Sequence, residues 1–217
     1  LLSKAAGQLP PKAEGLLEIA HRNADRLVLI INDILDMEKI SSGRLDFELE
    51  TADLSELVAE SLRANATAHQ RFGLQIKCHG VDTPTYIETD ANRIIQVLTN
   101  LMSNAAKFSK PGGTVEISVD KTPENVCVSV RDEGMGIAPE DQHKIFQRFA
   151  DMANSDRATK GGTGLGLSIC KAIVEGLGGT IDFVSKEGRG TTFTFTLPVK
   201  TRHSGPENDF ERLENVG

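Results

Sequence analysis

Asn100-Leu101-Met102-Ser103-Asn104-Ala105-Ala106-Lys107-Phe108 holds two side-chain amides and a cation at helical spacing. With Arg93 and Gln96 they form one polar stripe beside an apolar stripe of Ile94, Leu98, Leu101, Ala105 and Phe108. An Asn carbonyl oxygen is a hard, neutral ligand, and Mg²⁺ takes only one or two protein oxygens when phosphates and water complete its octahedron. Lys107 would act on the phosphates as a point charge. The same residues also fit an ordinary solvated helix face, so the stripe alone does not decide the matter.

Two further clusters narrow the reading. Val126, Val128 and Val130 share strand parity with Asp132, so a carboxylate ends a buried stripe. Burying it is costly without a hydrogen-bond donor, and the exocyclic amine of adenine is one. Gly134 and Gly136 let the chain turn sharply against a flat base, although a turn carboxylate capping a hairpin reads equally well. Then come Gly161, Gly162, Gly164 and Gly166, followed by a helix start at Leu167-Ser168. Glycines leave room for phosphate, and helix-start amides favour anions. This is no Walker loop, because Lys-Ser/Thr does not follow where required, and no clear strand precedes it as a dinucleotide fingerprint needs. Leu165, Leu167, Ile169, Ile173 and Val174 suit packing. Taken in order, the three clusters suit the metal–phosphate, base and phosphate parts of a magnesium-bound adenine nucleotide.

The elements that must position them follow from periodicity. Residues 11–40 read as one helix about 45 Å long, with Leu17, Ala20, Ala24, Leu27, Ile31 and Ile34 in steps of three and four. Such a seam needs a partner. Pro10 and Pro11 suit its start, Ser41-Ser42-Gly43 its stop, and Leu1–Ala6 the end of an earlier helix. Asp53-Leu54-Ser55-Glu56 resembles a capping box opening a helix to about Gln70. Leu74–Cys78 and Thr85–Glu88 are short strands, and a helix runs from Asp90 or Ala91 to Phe108. Thr114–Asp120 and Asn125–Asp132 pair through Thr122-Pro123-Glu124-Asn125, and Pro139–Phe149 reads as a short helix. Ala150–Gly162 reads as a mobile loop, Gly164–Gly176 as a helix, and Gly178–Ser185 and Gly190–Pro198 as closing strands. Polar residues 201–217 form a tail.

Composition bounds the function. The chain has 217 residues and a formal net charge of −7, which disfavours a non-specific nucleic-acid surface. No apolar run reaches membrane-span length, so no direct membrane contact is expected. The chain opens Leu1-Leu2-Ser3 without Met or signal peptide and reads as a piece of something longer. Cys78, Cys127 and Cys170 are isolated and odd in number, as buried cytosolic thiols are.

In this order the motifs closely resemble the ATP-binding domain of sensor histidine kinases, within the superfamily shared with gyrase, Hsp90 and MutL. Asn100–Phe108 matches the N box and Asp132–Gly136 the G1 box. Ile145-Phe146-Gln147-Arg148-Phe149 matches the F box, and Gly162-Thr163-Gly164-Leu165-Gly166-Leu167 the G2 box. The resemblance covers nearly all of Asp46–Pro198, and 11–45 looks like the second dimerisation helix. It implies an α+β fold: a two-layer α/β sandwich with a mixed sheet, behind a helical-hairpin stalk. Residues 1–45 would be a partial stalk, 46–200 the catalytic ATP-binding domain, and 201–217 a tail. It implies ATP and Mg²⁺ as ligands, with Asn104 on the metal and Asn100 nearby. Lys107 and Arg148 would face phosphates and Asp132 the adenine amine. Gly134, Gly136, Gly164 and Gly166 would shape base and phosphate contacts, and 150–162 would form a lid. Phe146, Phe149, Gly162, Thr163, Leu165 and Leu167 join the site as members of matched boxes. Further implications are a cytoplasmic location, a homodimer through the stalk, and a response-regulator receiver domain as partner.

One part of that pattern is not found. The family's acceptor histidine is followed by an acid and then a proline, and His21 sits in Ala20-His21-Arg22-Asn23 beside the seam. His69, His79, His143 and His203 stand in surface-like contexts. The expectation is therefore ATP binding without autophosphorylation on histidine by this chain. Three readings stay open: the ATP-binding core of a sensor kinase, a non-catalytic regulator with the same fold, or another ATPase clamp of the superfamily. Label passing through histidine to aspartate selects the first, binding without transfer the second, and hydrolysis tied to dimer closure the third.

Overall fold

The computed structural model of the chain describes residues 9–149 and 163–199. Helix α1 (Pro11–Ser41) begins at a proline whose fixed φ suits a first helical position. It stops where Ser41 and Ser42 turn their hydroxyls onto the carbonyls of Met37 and Glu38, at 2.7 and 2.8 Å. Its seam is largely uncovered, with Leu27 57%, Ile31 48% and Ile34 47% exposed. Among the described residues its last turns meet the body through Asp33, buried Asp36 and Met37 and half-buried Ile40. The expected earlier helix at Leu1–Ala6 lies outside the described residues.

The chain continues through β1 (Glu50–Asp53), α2 (Leu54–Arg71), β2 (Gln75–His79), β3 (Tyr86–Thr89) and α3 (Ala91–Phe108). After β4 (Thr114–Lys121), β5 (Asn125–Asp132) and α4 (Pro139–Gln142), it closes with α5 (Gly166–Gly176), β6 (Thr180–Lys186) and β7 (Gly190–Pro198). β1 pairs with β3, and the other strands form a five-stranded sheet in the order β2-β4-β5-β7-β6. The sheet is mixed: β2 and β4 are parallel and the remaining neighbours antiparallel.

Strand alternation divides the sheet into two faces. Val115, Ile117 and Val119, Val126, Val128 and Val130, and Phe193, Phe195 and Leu197 are buried and share one core with α2, α3 and α5. Glu116, Ser118, Ser129, Arg131, Thr192 and Thr194 take the intervening positions, half-buried or exposed. This is the expected two-layer α+β sandwich, preceded by the long helix α1.

Several local expectations need correction. Strand β1 was not foreseen, because Glu-Thr-Ala-Asp has no apolar alternation and forms only by pairing with β3. The cap of α2 is not reciprocal: Asp53 Oδ1 accepts from the Ser55 and Thr85 amides, at 3.0 and 2.9 Å, while Glu56 pairs with Arg63. α4 ends at Gln142 rather than running to Phe149. Tight turns follow, and Phe149 itself has φ 52, which no right-handed helix accommodates. Gly164 precedes α5 rather than opening it, because its φ is 69. β2, β3 and β6 are displaced by one or two residues from their expected positions.

His69 is also not a surface residue. It is 5% exposed, and among the described residues its Nε2 has no hydrogen-bond partner. Burial lowers its pKa below the usual 6.5. A depressed histidine contributes stability that is complete above the unfolded value and lost as pH falls through the folded one. Urea melts on the two sides of about pH 6.5 should show a loss on acidification that shrinks in His69→Gln. An equal loss in both proteins would refute this.

Candidate nucleotide site

The polar stripe of α3 becomes a site only because two loops close on it. α3 starts cleanly, with Asp90 Oδ1 accepting the Arg93 amide at 3.0 Å as an N-cap. Ile94, Val97, Leu98, Leu101, Met102 and Ala105 face the core, which fixes the rotation of the helix. Asn100, Asn104 and Lys107 are left half-buried on the neighbouring stripe.

The first loop follows β5. Asp132 ends the buried stripe as its parity required and is 6% exposed. Its Oδ1 accepts the Gly134 amide at 2.8 Å, so the carboxylate is held by the turn it starts. Its register partner on β7 is Thr191, also buried, whose hydroxyl lies 2.9 Å from that of Ser185. The loop is strapped down on both sides. Met135 N–H donates to the Phe108 carbonyl at 3.3 Å, and Gly188 N–H to the Met135 carbonyl at 2.7 Å. Backbone approach here is too close for a side chain: a Cβ at Gly134 would overlap the Phe108 carbonyl, and one at Gly136, at φ 67, the Lys186 carbonyl. The N-box and G1-box residues are therefore joined backbone to backbone.

The second loop enters α5. A Cβ on Gly166 would lie 3.4 Å from Asn100 Oδ1, so the glycine face of α5 rests on the first amide of the stripe. Asn100 also hydrogen-bonds Cys170, although burial dominates that thiol and pushes its pKa up to about 12. Thr163 Oγ1 accepts the Leu165 amide at 3.2 Å and donates to Asp33 Oδ2 of α1 at 2.7 Å. Burial raises the Asp33 pKa, the nearby Asp36 charge adds to it, and the Thr163 bond opposes it.

The other expected site residues have mixed placements. Leu165 is 1% exposed and Leu167 packs against the core, as packing residues do. Phe146 is half-buried in an aromatic cluster, 6.0 Å from Phe183 and 6.4 Å from Phe193, with the Lys171 ammonium 5.7 Å from its ring centre. Phe149 is 68% exposed, and Arg148 Nη1 donates to Ser41 Oγ at 2.8 Å. Gly161, Gly162 and the expected lid at 150–162 lie outside the described residues. Sequence reading missed Asp33, Asp36 and Ser41, which reach the site's elements from the stalk, because nothing local marks a contact 107 or 130 residues distant. It also missed Thr191, which only the strand register brings beside Asp132.

With this geometry in hand, the chain can be placed. Residues 89–201 match the family described as histidine kinase-, DNA gyrase B-, and HSP90-like ATPase. The chain is 35% identical over 204 residues to the sensor histidine kinase WalK of Bacillus subtilis, a match covering 92% of this chain and 33% of WalK. It superposes on full-length ShkA in complex with AMPPNP with a TM-score of 0.73 at 26% identity, over 89% of this chain and 40% of ShkA. It also superposes on histidine kinase ThkA in complex with response regulator TrrA, with a TM-score of 0.66 at 28% identity, over 90% of this chain and 54% of that one. The chain belongs to the histidine kinase-, gyrase B- and HSP90-like ATPase family, and its fold is that family's ATP-binding domain.

Gly134→Ala should cost on the order of 1–3 kcal/mol, because overlap with a backbone carbonyl cannot be relieved by a rotamer change. Thermal melts of the two proteins check this; an unchanged midpoint would show that the loop relaxes freely.

Proposed function

We propose that this chain is the ATP-binding catalytic core of a sensor histidine kinase, presenting the γ-phosphate of ATP for transfer to a histidine and onward relay to a response-regulator aspartate. The match spans about a third of WalK's length. The observation that carries the reading is the buried Asp132 carboxylate, ending a strand beside glycines too crowded for side chains. The carboxylate holds its own turn through the Gly134 amide, and an adenine amine is a further donor of the kind a buried acid accepts.

Each residue then has a role. Asp132 accepts from the adenine amine, and Gly134 and Gly136 let the backbone lie against the ring. Lys107 and Arg148 face the phosphates. Thr163, Gly164 and Gly166 leave room for them at the start of α5, where backbone amides favour anions, and Gly162 belongs to the same motif. Leu165 and Leu167 anchor that turn, and Phe146 and Phe149 border the site. The donor set also fits Mg²⁺. The Asn104 amide oxygen would hold the ion with Asn100 beside it, a neutral ligand where phosphates supply the charge. When bound, the ion spreads the charge that develops on the transferring phosphoryl group. The chain's contribution is to fix base and phosphates so that an incoming imidazole meets phosphorus in line.

The stalk supports the rest of the proposal. α1 is 31 residues long with an uncovered apolar seam, which suits a homodimeric helical bundle in the parent. The similarity to the ThkA–TrrA complex favours a receiver domain as partner. No described helix is long and apolar enough to cross a membrane, and a cytoplasmic site of action is proposed on the expected chemistry. Residues 1–45, 46–200 and 201–217 would serve as partial stalk, catalytic domain and tail.

Calorimetry tests the core claim. The chain should take up Mg-ATP, and Asp132→Asn should weaken uptake by about 100-fold, the worth of roughly 2–3 kcal/mol for a charged hydrogen bond. Uptake by neither protein, or equal uptake by both, would sink the reading. Phosphate carried from ATP to a receiver aspartate by the parent protein would then separate a kinase from a regulator that only binds.

A further inference from the structure

Three cations converge beside the Asp132 turn, away from its buried side. Lys110 comes from the turn after α3, Arg131 from the end of β5, and Arg189 from the hairpin between β6 and β7. With Gly113, Glu133 and Gly188 they line a cleft of about 410 Å³. None of the six belongs to the nucleotide site described above. Strand alternation separates the two places: Asp132 is turned inward and 6% exposed, whereas its neighbours Arg131 and Glu133 are exposed. The bonds from Met135 N–H to the Phe108 carbonyl and from Gly188 N–H to the Met135 carbonyl tie these elements together. The cleft is therefore fixed by the same backbone lock as the turn.

Its charges are poorly matched within the chain. Arg131 Nη1 lies 3.5 Å from Glu116 Oε2, longer than a good charged hydrogen bond, and the other oxygen of Glu116 is 2.9 Å from His79 Nε2. Among the described residues, Lys110, Glu133 and Arg189 form no ion pair. In a chain of net charge −7, three cations around one acid make a local excess of positive charge against the field of the whole. Cations gathered in this way repel one another, and a bound anion relieves the repulsion. Two of them are arginines, whose planar forks match phosphate oxygens, and the lysine adds a point charge. Glu133 can only accept, so it opposes a bare phosphate and favours a ligand that brings a hydroxyl or an amine. The volume falls in the range of roughly 300–1,000 Å³ usual for small-molecule sites, which favours a small ligand over a docked protein.

We propose that this cleft is a second ligand site, which binds a small organic phosphate carrying hydroxyl or amine donors. Arg131, Arg189 and Lys110 hold the phosphate, and Glu133 accepts from the donor group. The site is separate from the proposed nucleotide site and does not depend on that reading.

Backbone-amide NMR titrations of the whole chain at constant ionic strength test this, with ribose 5-phosphate as the probe and inorganic phosphate and a hexaglutamate peptide as comparators. Ribose 5-phosphate should shift the amides of Gly113, Gly188 and Arg189 saturably, in the millimolar range that exposed charge pairs support. It should bind at least about threefold more tightly than inorganic phosphate, and Glu133→Gln should narrow that gap. The double variant Arg131→Gln/Arg189→Gln should weaken binding about tenfold. Lys110→Gln should weaken it about threefold, and it carries the test if the double variant fails to fold. Lys121→Gln removes an exposed charge at the far end of β4 and should change nothing. No saturable shift at these amides, or undiminished affinity in the charge-removed variants, overturns the site. Inorganic phosphate binding as tightly as ribose 5-phosphate overturns the assigned ligand class. A response to hexaglutamate alone overturns it in favour of an acidic protein partner. Shifts confined to Asn104 and Gly164 would place the ligand in the nucleotide site and overturn the second one.

Discussion

Taking a carboxylate out of water costs several kcal/mol unless donors meet it, and Asp132 is placed at the end of a strand whose inward valines, Val126, Val128 and Val130, are buried. Much of the local architecture follows from that placement. The Gly134 amide turns back onto Oδ1, which obliges the chain to reverse within two residues. The reversal carries Gly134 and Met135 onto the Phe108 carbonyl at the end of α3, which fixes the loop relative to the amide stripe. The Gly188 amide closes the other side of the loop on Met135. Asp132 thus stands at the join of strand, loop and helix, where this backbone lock makes a rigid wall.

Opposite this wall, the structure relies on side chains rather than backbone. Thr163 and Arg148 are held by Asp33 and Ser41, and α5 rests on Asn100 through a glycine. Side-chain contacts of this kind are worth less and rearrange more readily than a strand-to-loop lock. The Asp132 end of the site is therefore locked by backbone and the Thr163–Arg148 end by side chains. The buried Asp36–Arg93–Gln96 cluster holds α1 beside that second end.

How legible this was depended on whether the cause was local. The periodicities of α1, α2 and α3 and the parity of Asp132 are properties of short windows, and all could be read directly. So could the two-layer fold, since the valine alternation in β4 and β5 requires one dry face. Strand β1 was not legible, because its pairing with β3 supplies what its composition lacks. The turns after α4 were missed because Phe149 adopts a positive φ that no phenylalanine advertises. Arg93 and Gln96 looked like part of the same stripe as Asn100. They serve Asp36 instead, at sequence distances of 57 and 60, and only the docking of α1 separates the two halves of the stripe. His69 was misjudged for the same reason: a polar residue on an amphipathic helix reads as exposed until a neighbouring element covers it.

The net charge of −7 sharpens the electrostatic problem, because the field of the whole chain repels a polyanion. Under the proposed reading, attraction must be local and must be switched on at short range. Lys107 and Arg148 contribute cations, and the start of α5 contributes backbone amides whose dipoles cost no reorganisation. Asp33 works against all three from the stalk side. A site optimised only for binding would place a neutral or basic side chain there.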